Sequence, residues 1–142
     1  MAGETTTVAA SAARNYYDNP GAGTFVVPFN LTFLSTDNET ADVMEAGYLP
    51  PNVRMVGVTW APTDMDTNGS PAVVHKVTVG STDIVTGLTG AQTGTSSYTA
   101  VTNAAAVLAP ATTPTKVTVT SSTAAATGAA GTAVLFIHCQ KA

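Results

Sequence analysis

The residues with the most recognisable chemical spacing are Asp64, Asp66 and Asn68, followed by Gly69. Alternating oxygen side chains ending in glycine form the first half of a helix-loop-helix calcium loop, where they converge on a hard cation. The twelfth position of such a loop needs a bidentate glutamate, and here it is His75. Pro71 and the valines after it read as a strand and not as an exiting helix, so the run reads as a turn capped by its own Asp and Asn side chains, with no metal expected. His75 and His138 have no Cys, Asp or Glu at ligand spacing and sit in strongly patterned segments, which makes them structural. Cys139 stands among Phe136, Ile137 and His138 and reads as a small buried hydrophobe. No Gly-x-Ser-x-Gly is present, no nucleophile-base-orienter set assembles, and the nine carboxylates are dispersed. No enzyme, catalytic residue or cofactor is therefore expected.

Trp60 shares an alternating strand with Arg54, and the pattern places Arg54, Val56, Val58 and Trp60 on one face with Met55 on the other. An exposed pair of that kind would make a carbohydrate-stacking platform, whereas a core tryptophan would not. Five basic residues, Arg14, Arg54, Lys76, Lys116 and Lys141, are scattered along a chain of net charge −4, which excludes a nucleic-acid partner. No apolar run approaches the length of a membrane span, and the first residues lack the basic and apolar regions of a secretory signal, so no membrane partner is expected.

The elements that must position these residues are strands. Thr24 to Phe33 alternates cleanly, with Phe25, Val27, Phe29, Leu31 and Phe33 on one face. Pro28 cannot donate to a ladder and marks this strand as an edge or a bulge. Weaker strand character runs from Ala41 to Leu49. Val53 to Trp60 and Ala72 to Val79 are strong strands, the second placing Val73, His75, Val77 and Val79 together. The intervening Asn68-Gly69 pair is the strongest short hairpin signal and predicts that these two strands are antiparallel neighbours. Short strands are expected at Asp83 to Leu88, within Tyr98 to Leu108 and at Thr115 to Thr120, and a central strand, apolar on both faces, at Thr132 to Gln140. About eight strands without a long helix indicate an all-β sandwich, a jelly roll, over residues 24–142. Residues 1–23 show neither period and read as an extended N-terminal arm with Tyr16 and Tyr17 as adhesive groups.

The stretch Leu49 to Ser70, with Leu49-Pro50 leading into a strand and then Thr63-Asp64-Met65-Asp66-Thr67-Asn68-Gly69-Ser70-Pro71-Ala72, resembles a pattern in small tailed-bacteriophage virion structural proteins. Thr113-Pro114-Thr115-Lys116-Val117-Thr118-Val119-Thr120, the Ala-rich stretch from Ala124 to Gly131 and the last strand extend the resemblance to roughly residues 40–140. Asn52 replaces a glycine that the pattern expects. The resemblance implies a capsid cement or decoration protein on the outer surface of the virion head, with the major capsid protein as partner and no catalytic residues. A lattice role fits a homotrimer on a local three-fold and an arm that adds a strand to a neighbour. The alternatives are a tail or fibre-base component and, from another class, a carbohydrate-binding sandwich with Trp60 exposed.

Only 14 of 142 residues are charged, and between Ile84 and Gln140 Lys116 is alone. Such a run is poorly soluble if its outer faces all meet water, which points to association through this half of the chain. Outward positions such as Thr118 and Thr120 are the expected contact residues, beside Tyr16 and Tyr17.

Overall fold

The computed structural model describes residues 3, 5–6, 24–103 and 110–142. Among the described residues nine strands follow in chain order: β1 (Thr5–Thr6), β2 (Thr24–Phe33), β3 (Val43–Leu49), β4 (Val53–Pro62), β5 (Val74–Val79), β6 (Thr82–Leu88), β7 (Ser97–Ala100), β8 (Thr115–Thr123) and β9 (Gly131–Lys141). One sheet has the order β2-β9-β4-β7 and the other β1-β3-β8-β5-β6. The antiparallel pairs β2 with β9, β3 with β8, β4 with β7 and β5 with β6 describe one long ribbon that doubles back at the β5–β6 turn. Rolling that ribbon brings β9 beside β4 and β8 beside β5, which completes a jelly roll of eight strands. β1 is an addition: Thr5 and Thr6 pair in parallel with Val43 and Met44 at the edge of the second sheet. The expected N-terminal arm otherwise falls, apart from Gly3, outside the described residues, and Tyr16 and Tyr17 with it.

β2 is an edge strand, as Pro28 requires, and its buried set is Val27, Phe29, Leu31 and Phe33. β9 lies between β2 and β4, and β8 between β3 and β5. These two interior strands belong to the segment that is nearly free of charge, and half of each faces the core: Ala133, Leu135, Ile137 and Cys139 from β9, and Val117, Val119 and Ser121 from β8. Phe29, Phe33, Trp60, Met65, Leu135 and Ile137 are among the largest fully buried side chains, each worth about 1.5–3 kcal/mol over its exposed state.

Two sequence expectations are corrected. β4 and β5 are not hairpin partners, because β4 belongs to the first sheet and β5 to the second. The segment between them crosses the sandwich, and its Asn68 is held in a side-chain turn with Ser70 and not in a tight strand reversal. The two-residue hairpin is instead β5–β6, where Val79 pairs with Thr82 around Gly80-Ser81. Gly80 has φ 63°, a left-handed conformation that such turns require, and its N–H donates to the Lys116 carbonyl at 2.8 Å. Secondly, Arg54 and Trp60 are on opposite faces. A bulge between Met55 and Gly57 inserts an extra residue opposite β9, so Met55 joins Val58 and Trp60 in the core while Arg54 points to solvent.

Asn52, at the turn from β3 to β4, has φ 58°. Its N–H donates to the Ala111 carbonyl at 2.7 Å and its own carbonyl accepts from Ala142 at 2.9 Å. Asparagine is among the few non-glycine residues that tolerate this region, which is why it can replace the glycine expected here. Asn52→Gly is expected to leave stability within about 0.5 kcal/mol, whereas Asn52→Val should cost about 1–2 kcal/mol. Urea midpoints of the two variants measure the difference.

Candidate interaction surfaces and the crossover carboxylate

The crossover segment 63–73 is organised by Asp66, which is 1% exposed. Its Oδ2 accepts the backbone N–H groups of Ala72 at 2.7 Å, Ala126 at 2.9 Å and Val73 at 3.1 Å. Its Oδ1 accepts those of Thr127 at 2.9 Å and Asn68 at 3.4 Å. The spacing that resembles a calcium loop is thereby explained by backbone capping. Asp64 accepts the N–H of Asp66, Asp66 that of Asn68, and Asn68 that of Ser70, three side-chain turns in succession. Among the described residues no three His, Cys, Asp or Glu side chains cluster as metal ligands. Burial on its own would raise the Asp66 pKa, but the N–H donors of Ala72, Thr127, Ala126 and Val73 outweigh it and hold the carboxyl well below the usual range.

His75, the residue at the twelfth position of that pattern, is fully buried. Its Nε2 lies 2.7 Å from Asn38 Oδ1, which also accepts from Ser121 Oγ at 3.3 Å. The acceptor fixes the neutral tautomer with the proton on Nε2. The imidazole packs 5.3 Å from Trp60 and 5.8 Å from Phe33, centroid to centroid. Burial lowers its pKa to about 4. Cys139 is likewise buried, and burial pushes its thiol up to about 12, so it is an unreactive packing group. Trp60 is 0% exposed, which removes the carbohydrate platform that depended on it.

The two outer sheet faces differ in chemistry. On the five-stranded sheet, Thr118 lies in a row with Glu45, Thr78 and Asp83, and Thr120 in a row with Val43 and Lys76. Both threonines are half-buried and face outward between ion pairs: Lys116 to Glu45 at 2.7 Å and Lys76 to Asp83 at 3.1 Å. The Thr78 hydroxyl, 2.8 Å from Asp83, and then Lys76 lower the Asp83 pKa, while Glu45 raises that of Lys116. On the four-stranded sheet, none of the strands contains an acidic residue. Pro28, Phe136, Thr59 and Tyr98 form a row across it, with Val26 and His138 in the next. His138 Nε2 lies 2.8 Å from Thr59 Oγ1, and the Tyr98 and His138 rings stand edge to face with centroids 5.2 Å apart. Tyr98 lies over the backbone of Gly57, where any side chain would collide with its ring. Tyr98 at 59% exposure and Val26 at 38% are the open hydrophobic groups of this face. The sequence signal for this face was available in the acid-free compositions of the four strands, but assigning them to one sheet needed the topology.

No family model matches the sequence, and no curated protein does. The fold is similar to a chain in the capsid of Ralstonia phage GP4, with TM-score 0.75 and 22% identity over 92% of this chain and 94% of that one. It is also similar to a chain in the capsid asymmetric unit of cyanophage Pam1, with TM-score 0.70 and 27% identity over 92% of this chain and 96% of that one. Both matches come from phage capsids.

Two acid windows follow from the buried groups. His75 titrates at 6.5 unfolded and near 4 folded, so its contribution is complete above 6.5 and is lost as pH falls toward 4. Asp66, depressed below its unfolded 3.8, contributes fully above that value and loses its contribution at lower pH. Thermal melts across pH are expected to show both declines, with His75→Phe flattening the upper window and Asp66→Asn the lower. Asp66→Ala, which strands buried N–H donors, should cost on the order of 4 kcal/mol in chemical denaturation at neutral pH.

Proposed function

We propose that this protein is a phage capsid decoration protein that binds the outer surface of the head shell as a homotrimer and ties neighbouring major capsid protein subunits together. The observation that carries this reading is the likeness to capsid chains along nearly their whole length, 94% and 96% of each, which makes those chains about as short as this one. The likeness supports a phage virion structural protein; the position on the shell and the trimer are the proposal. The same likeness favours the head over the tail as the site of assembly.

The physical chemistry agrees with a role in assembly. Threonine, serine and alanine surfaces lose little side-chain entropy on burial, so a neutral outer face docks at lower cost than one rich in lysine or glutamate. Tyr16 and Tyr17 are the proposed anchors of the arm, and Thr118 and Thr120 the proposed contacts of the five-stranded face. The acid-free outer face of the four-stranded sheet supplies a further surface, without ion pairs, on the same body.

Sedimentation of the purified protein is expected to give a trimer, and incubation with heads stripped of decoration should give saturable binding. A monomer at micromolar concentration without affinity for heads overturns the reading. Thr118→Lys and Thr120→Lys should weaken association at least tenfold while leaving the melting temperature within a few degrees, because both positions face outward. Unchanged association in these variants removes that face from the interface.

A further inference from the structure

Asn68-Gly69 is the one Asn-Gly pair in the chain. Among the described asparagines, Asn30 precedes Leu31, Asn38 precedes Glu39 and is 2% exposed, Asn52 precedes Val53, and Asn103 precedes Ala104. In each of these the β-carbon of the next residue crowds the approach of its amide nitrogen to the asparagine side chain. Asn68 is exposed, and a β-carbon built on Gly69 would meet nothing within 4 Å, so the peptide between them is open to solvent. The Asn68 side chain is also oriented. Its Oδ1 accepts the Ser70 N–H at 2.9 Å, which polarises the carbonyl, and its Nδ2 donates to Thr127 Oγ1 at 3.0 Å. The short segment is anchored on both sides by Asp66, through Asn68 N–H before it and Ala72 and Val73 N–H after it.

We propose that Asn68 is a self-modification site, at which the Gly69 amide converts the asparagine to aspartate and isoaspartate. The Gly69 nitrogen attacks Asn68 Cγ and loses its proton, the Cγ–Nδ2 bond breaks, and ammonia leaves. Solvent water then opens the cyclic imide at either carbonyl, giving aspartate or, with the chain rerouted through the side chain, isoaspartate. No other reactant is needed and no redox change occurs. The product lacks the Nδ2 donor, so the tie from the crossover to Thr127 in the β8–β9 loop survives only by reversal, with the hydroxyl donating to the new carboxylate, which stands near Asp64 and Asp66. The isoaspartate form also lengthens the backbone between the Asp66 anchors. The conversion therefore acts as an ageing clock on the tie between the two loops, independent of any role in a capsid.

The test is prolonged incubation of the folded protein in mildly alkaline buffer, followed by peptide mass mapping and enzymatic isoaspartate methylation. Expected is conversion confined to the Asn68 peptide, with the Asn30, Asn38, Asn52 and Asn103 peptides unchanged. Gly69→Ala, for which there is room, should slow it on the order of tenfold or more without shifting the melting temperature. Asn68→Asp should lower the melting temperature, reporting the carboxylate set near Asp64 and Asp66. An unconverted Asn68, conversion spread over the other asparagines, or an unchanged rate in Gly69→Ala overturns the proposal.

Discussion

A carboxylate inside a sandwich is tolerable only where its charge is met at every lone pair, and Asp66 meets that condition with backbone N–H groups alone. The crossover from one sheet to the other leaves main-chain donors at Ala72 and Val73 without strand partners, and the return from β8 to β9 does the same at Ala126 and Thr127. One side chain satisfies both sets. It thereby fixes two loops distant in sequence against each other, and with them the relative placement of the two sheets. The neighbouring Met65 extends the tie through main-chain bonds with Ala91 and Ala129. The buried aromatic cluster of Phe33, Trp60 and His75 then packs in the space this closure defines.

The near absence of charge from Ile84 to Gln140 has two physical origins that composition cannot separate. β8 and β9 are interior strands of their sheets, so alternate residues face the core and, Ser121 apart, are apolar. The outward positions of the same strands are, apart from Lys116, uncharged: Thr and Ser on β8, and Thr, Val, Phe, His and Gln on β9. The two outer faces divide the rest: ion pairs on the five-stranded sheet and an acid-free aromatic and aliphatic row on the four-stranded one.

Strand existence was legible because period-two alternation reports burial on one face directly. Thr24 to Phe33 occurs as read and Thr132 to Gln140 nearly so, the strand read from Ala72 begins at Val74 because Asp66 takes the N–H groups of Ala72 and Val73, and Pro28 correctly marked an edge. Pairing was not legible. Asn68-Gly69 carries a strong hairpin signal, yet its geometry is set by a buried aspartate two residues earlier, while the weaker Gly80-Ser81 makes the real hairpin. The face of Arg54 was misread because a bulge at Met55 to Gly57 resets the alternation, and Tyr98 covering Gly57 is the long-range contact that accompanies it.

The amino-acid sequence by itself determined the all-β class, the number of strands, the inward set of each unbroken strand and the scarcity of charge, since these depend on local alternation and composition. Only the tertiary structure decided which strands share a sheet, which face is free of acids and what Asp66 binds. Those depend on backbone groups more than fifty residues apart meeting one side chain, and no local pattern encodes where such partners will come from.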